Sequence, residues 1–252
     1  MLAMKKILSL FAFAVVLISC EKDKQLEFTT ETYTEKSTLP CSDNCPIVEV
    51  KVPVAKNIPI VADSINKRVF AVVKEIIYFG EKPYTSKDYQ GLLQSFISSY
   101  DELKTEFPED TFGWEGKVEG SVVYETENVL NIKIDHYTFT GGAHGYQGIR
   151  SLIFNPSTGK IITNAELFND LNAFTKFAEQ KFRTAYKIPE NAAINSTGLM
   201  FENEKFALPM TLIFNEKGLF LYYNSYEAAS YADGPKEIQL TFAELEPYLK
   251  VK

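Results

Sequence analysis

The apolar period of this chain switches from helical to two near Phe112, and that change limits the folds open to it. Upstream, Ile65, Val69, Val72, Val73 and Ile76 recur at helical spacing, which predicts a helix starting at Asp63-Ser64 and ending before Gly80 and Pro83. A broader stripe follows: Tyr89, Leu92, Leu93, Phe96, Ile97, Tyr100, Leu103 and Phe107. Thr85 and Asp88 offer a capping box before it, and Pro108 stops it. So wide an apolar face suits core packing better than a ligand groove. From Phe112 to about residue 154 the period is two. Residues 117–126 and 129–139 predict a hairpin turning at Glu127-Asn128, with Leu130, Ile132, Ile134 and His136 on one face. Residues 146–154 predict another strand, closed by the turn Asn155-Pro156-Ser157-Thr158-Gly159. Earlier, Val48, Val50, Val52 and Val54 share a face opposite Glu49 and Lys51. A third helix is predicted over 171–186, a last hairpin through 206–214 and 219–223, then a strand near 238–242 and a short helix to Leu249. Antiparallel hairpins with helices inserted between them imply an α+β fold, an antiparallel sheet with helices packed on it and two interlocked subdomains. There is no internal repeat.

The first twenty residues bear on location. Lys5 and Lys6 form a positive region, residues 7–18 are apolar but short for a bilayer span, and Ser19 directly precedes Cys20. That order is similar to a bacterial lipobox. It implies cleavage of residues 1–19 and a Cys20 thioether carrying diacylglycerol, with palmitate as a representative acyl chain. Such chains hold a protein at a membrane without a spanning helix. The expectation is a lipid-anchored protein of the bacterial cell envelope, at the outer membrane. The alternative is an ordinary secretory peptide with a chance cysteine, or an uncleaved anchor. Residues 20–44, polar at first and rich in Thr, Glu and Lys, read as a tether with a strand entering near 29–33. Residues 45–110 then read as an N-terminal subdomain of one strand and two helices, and 111–252 as a C-terminal domain.

Charge narrows the partners. The 252 residues carry a formal charge of −7, and losing Lys5 and Lys6 with the leader makes it −9. An acidic surface argues against nucleic acid and against anionic lipid. It suits a basic partner, although many acidic proteins are simply soluble. Once Cys20 is lipidated, Cys41 and Cys45 remain. In an oxidising compartment a disulfide closing a small loop is the simplest reading. Free thiols are an alternative, and a metal site would need further ligands that the two histidines do not supply locally.

One constellation invites a functional reading: Tyr137-Thr138-Phe139-Thr140-Gly141-Gly142-Ala143-His144-Gly145-Tyr146. The glycines would let the chain leave the sheet and return, presenting backbone amides and His144 to a ligand. The candidate ligand-binding residues are Gly141, Gly142, His144 and Tyr146. Residue chemistry alone favours the plainer alternative, a structural bulge or tight loop with His144 satisfied by a backbone carbonyl. Tyr222, Tyr223, Tyr226 and Tyr231 could stack on sugars or anchor a protein, or pack under a helix. No catalytic set emerges. There is no Gly-x-Ser-x-Gly elbow, Asp135 and His136 point to opposite faces of one strand, and no carboxylate pair has a distinguishing context. No phosphate cradle or dinucleotide fingerprint is present, so no cofactor and no metal is implied. Asn195-Ser196-Thr197 fits a eukaryotic glycosylation pattern that a bacterial lipobox makes irrelevant.

Gly141-Gly142-Ala143-His144-Gly145, the Asn155-Pro156-x-Thr158-Gly159-Lys160 turn and Glu166-Leu167-Phe168 together resemble the extracytoplasmic domain shared by the anti-sigma factor RsiV and the peptidoglycan deacetylase PdaC. Residues 226–234 resemble that family's C-terminal signature, and Ile65-Asn66 after a valine-rich strand ending in Pro53 resembles its companion N-terminal subdomain. The resemblance covers about residues 45–248. It implies an α+β domain acting near peptidoglycan, and in the anti-sigma factor such a domain binds lysozyme. The chain departs from both relatives, with neither the spanning helix of the one nor the deacetylase module of the other. The resulting expectation is an envelope-anchored, non-enzymatic lipoprotein that binds a peptidoglycan fragment or a lysozyme-like protein. The alternatives are a cell-wall-acting hydrolase and an envelope scaffold.

Overall fold

Val48, Val50 and Val52 are fully buried on one face of a strand, and two helices cover them. A computed structural model describes residues 25–41, 44–80, 83–109 and 112–251. The leader and Cys20 lie outside the described residues. A five-stranded sheet runs in the order β1 (Glu27–Lys36), β2 (Ile47–Lys56), β3 (Glu115–Glu125), β4 (Leu130–Phe139), β5 (Tyr146–Phe154). All neighbours are antiparallel except β2 and β3, which pair in parallel from Ile47↔Glu115 to Lys51↔Glu119. A parallel pair needs a long crossover, and α1 (Pro59–Ile77) and α2 (Tyr89–Glu106) provide it. The apolar stripes of both helices close on Ile132, Ile134 and Leu152 of the sheet. Each fully buried valine or leucine there contributes about 1.5–3 kcal/mol.

A second sheet, β6 (Thr211–Asn215), β7 (Gly218–Tyr223) and β8 (Lys236–Thr241), is wholly antiparallel. Between the sheets in sequence lie α3 (Asn164–Leu167) and α4 (Leu171–Ala185), and α5 (Phe242–Leu245) follows β8. Phe174, Ala178 and Phe182 of α4 pack with Leu219, Leu221, Tyr223 and Leu240 as a second core. The chain is therefore α+β, with helices packed on open sheets.

Two buried asparagines join the sheets. Asn131 Oδ1 accepts from Phe214 N at 2.8 Å while its amide donates to Ser151 Oγ at 2.8 Å and Leu152 O at 3.1 Å. Asn224 Oδ1 accepts from Ile149 N at 2.7 Å, and its amide donates to Ile149 O at 3.1 Å. The Asn224 amide thus satisfies edge groups of β5 that a sixth strand would otherwise pair.

The structure redraws several boundaries. Residues 27–36, placed in the tether apart from a short strand near 29–33, form the full ten-residue edge strand β1. The division at 110 falls inside the first sheet, whose core takes in Val118, Leu130, Ile134 and Phe154; the second core draws mainly on residues after 160. The first helix begins at Pro59, where a missing N–H costs nothing, and not at Asp63. The second is capped by Asp88 alone, which accepts from Gly91 N at 2.8 Å. β6 starts at Thr211 and not at Phe206, whose ring packs against Phe182, Phe201 and Tyr223.

Candidate cleft around the glycine-histidine loop

β4 ends at Phe139 and β5 begins at Tyr146, so the glycine-histidine segment is the loop of a hairpin. Gly141 and Gly142 reverse the chain with φ of 103° and 89°, a region that side chains disfavour. Gly145 has a different reason to be glycine. A Cβ there would lie 2.5 Å from Cε2 and Cζ of Tyr137, whose ring covers it.

His144 is exposed, with Nδ1 2.9 Å from Gly145 O. Its ring lies on Tyr231, centroids 3.9 Å apart and planes 13° from parallel. The Tyr231 hydroxyl donates to Gly145 O at 3.1 Å. Tyr226 adds a third ring 5.7 Å beyond Tyr231 and is 55% exposed. The structure therefore joins two separately noted segments, the loop and the tyrosine-rich stretch, into one aromatic strip.

On the other side of the loop is a cleft of about 850 Å³. Its walls include Asn44, Phe112, Glu115, Tyr137, Phe139 and His144. Phe112 is 66% exposed at the rim. Cys41 and Cys45 are bridged, Cα atoms 5.6 Å apart, and hold Asn44 against Gly113, where any Cβ would overlap the Asn44 carbonyl. Asn44 and Cys45 thus form one wall of the cleft. Sequence reasoning did not place Phe112 or Asn44 here; Gly113-Trp114 at the entry to β3 was the available signal.

Tyr146 does not line this cleft. One step along a strand reverses the face, and its ring lies 5.9 Å from His136 on the side facing the helices. His136 is buried, and neither ring nitrogen has a hydrogen-bond partner among the described residues. Burial, reinforced by Arg150, pushes its pKa down to about 4 against a raising pull from Asp135. The ring is neutral at neutral pH. Asp135 pairs with Lys133 at 2.9 Å rather than orienting the histidine. Among the described residues no three His, Cys, Asp or Glu side chains converge on a metal position.

Comparison with known proteins places these elements in two family regions. Residues 40–147 match the family described as Deacetylase PdaC, and residues 161–243 match a protein family of unknown function, DUF3298. The chain thus carries a PdaC-like region followed by a DUF3298-like region. The crystal structure of a DUF3298 family member from Bacteroides fragilis NCTC 9343 superposes with a TM-score of 0.68 at 21% identity, covering 90% of this chain and 94% of that one. A DUF3298 family protein from Pseudomonas aeruginosa PAO1 superposes at 0.61 with 17% identity, covering 90% and 94%. At that identity the likeness is one of fold. No curated protein matches the chain. The pair of family regions marks a PdaC/DUF3298 chain as an extracytoplasmic, cell-wall-related domain. Among the described residues no helix is long and apolar enough to cross a membrane. The aromatic strip spans both family regions, His144 from the first and Tyr226 and Tyr231 from the second.

Proposed function

We propose that this PdaC/DUF3298 protein binds a glycan fragment of the cell wall without transforming it, tethered by a lipid on Cys20. The observation that carries this is the set of exposed and half-buried rings around the loop. His144, Tyr231 and Tyr226 form a strip on one side, while Phe112, Tyr137 and Phe139 line the cleft on the other. Sugar rings present flat C–H faces that suit aromatic surfaces, and tyrosine adds a polar tip. Gly141 and Gly142 serve this reading as the turn that presents His144, and Tyr146 as inner packing.

The test is titration of the purified protein with a muramidase-released disaccharide-peptide, followed by NMR of the His144 ring. A saturable shift that Tyr231→Ala weakens is the expected result, and an unmoved His144 signal overturns the reading. Glu115 lines the same cleft as His144, and that keeps a wall hydrolase as the alternative. Turnover of the fragment, lost in Glu115→Gln, would replace binding with catalysis. The formal charge of −7 supports a lysozyme-like basic partner as a second reading. Its complex would weaken steeply with salt, whereas a stacked sugar would not. Anchoring is tested by fatty-acid labelling of the wild type against Cys20→Ala.

A further inference from the structure

The cleft continues past Tyr137. Side chains two apart on a strand share a face, so Glu115, Lys117 and Glu119 of β3 line up beside Phe139, Tyr137 and Asp135 of β4. Gln147 of β5, opposite Tyr137, continues the same face on the third side. A second cavity of about 210 Å³ is lined by Lys117, Glu119, Asp135, His136, Tyr137 and Gln147. Tyr137 belongs to both cavities, so they are two ends of one trough on the side of the sheet away from the helices. Its floor from Glu115 to Glu119 is roughly 13 Å long.

The two ends differ in chemistry. The loop end is aromatic and the far end is charged. There, register puts Lys117 and Gln147 on either side of Tyr137, each roughly 4.8 Å away in strand spacing. The carboxylates at that end are already paired, Glu119 with Lys51 at 2.8 Å and Asp135 with Lys133 at 2.9 Å. Lys117 is exposed and has no carboxylate within 4 Å among the described residues. It is a cation facing the trough beside a neutral amide that can both donate and accept.

We propose that the ligand is a glycan bearing a short peptide, its sugar on the aromatic end and its peptide along Lys117 and Gln147. Lys117 Nζ would take a peptide carboxylate, and the Gln147 amide a peptide group. Glu115, Glu119 and Asp135 around the trough disfavour a simple polyanion and tolerate a substituent that also carries an ammonium. This inference rests on the glycan reading and specifies it.

The experiment compares two probes on the full chain: a disaccharide-tetrapeptide from digested peptidoglycan, and the same disaccharide after its peptide is removed. A charge-assisted hydrogen bond predicts that the peptide-bearing probe binds about tenfold more tightly. Lys117→Met should abolish that difference. Equal affinities for the two probes in the wild type would overturn this inference and leave the glycan reading standing. A preference that survives Lys117→Met would overturn the assignment to the charged end. Binding of neither probe would overturn both.

Discussion

The imidazole of His144 lies flat against Tyr231, 3.9 Å between centroids, and the Tyr231 hydroxyl donates to the carbonyl of Gly145 next door. One contact thus clamps the glycine-histidine loop of the first sheet to the segment between β7 and β8 of the second. Aromatic stacking contributes about 0.5–1.5 kcal/mol beyond burial, and a neutral hydrogen bond about as much. Tyr231→Ala should therefore cost about 1–2 kcal/mol in urea unfolding and free the His144 ring, moving its NMR signals. Tyr231→Phe keeps the stack and should cost about 1 kcal/mol with the His144 signals nearly in place. If Tyr231→Ala leaves both stability and the His144 spectrum alone, the clamp does not exist in solution.

Gly148 holds a second close approach, between His136 and Asn224. A Cβ at this position would fall 2.7 Å from His136 Nε2 and 3.0 Å from Asn224 Oδ1. Asn224 cannot yield freely, because its amide group bonds both Ile149 N and Ile149 O. Gly148→Ala should destabilise by about 1–3 kcal/mol through overpacking. The midpoint of urea unfolding reports it, and an unchanged midpoint would mean that the seam between the sheets is looser than described.

The parts of this fold that were legible in the sequence are those whose burial repeats locally. Val48, Val50 and Val52 alternate because one face of β2 meets helices, and the stripe from Leu92 to Tyr100 repeats because α2 presents one face to the sheet. β1 was largely hidden because it lies at a sheet edge with its threonines exposed and Glu31 and Glu35 on its half-buried face, leaving Phe28 and Tyr33 as the chief apolar marks. The parallel pairing of β2 with β3 has no local signature at all. At the site, the loop glycines announced a reversal of the chain. That Tyr231 would lie on His144, or Lys117 beside Tyr137, depends on packing and register between distant segments. Tyr146 adjoins the loop in sequence, but strand alternation turns its ring toward His136.

Asn131 provides a test of how the two sheets cooperate. It is fully buried, and it bonds Phe214 N of β6 and Leu152 O of β5 at once. Asn131→Leu fills a similar volume but leaves the Phe214 N–H and the Ser151 hydroxyl without that partner. Each stranded buried group costs about 1–3 kcal/mol. A loss of about 2–4 kcal/mol is expected, with the unfolding transition broadening if the second sheet comes away first. A loss below about 0.5 kcal/mol would show that neighbouring groups or water replace the amide.

His136 predicts a pH dependence of stability whose sign follows from burial. Its ordinary pKa of 6.5 falls to about 4 in the folded chain, chiefly because the ring leaves water, with Arg150 adding repulsion. Between those values the unfolded chain takes up a proton that the native chain refuses. Stability is therefore greatest above the unfolded pKa and declines as pH falls toward 4, by about 3 kcal/mol in all from this group. Below the folded pKa both states are protonated and the loss levels off. Carboxylates with lowered pKa, such as Glu119 and Glu166, also lose stability in acid, so the wild type alone cannot isolate the histidine. His136→Phe removes the titrating ring and leaves those carboxylates in place. The difference in unfolding free energy between wild type and variant should shift against the wild type by about 2–3 kcal/mol between about pH 7 and about pH 4.5. Parallel curves would mean that the ring reaches water, or a partner, and titrates near its ordinary value.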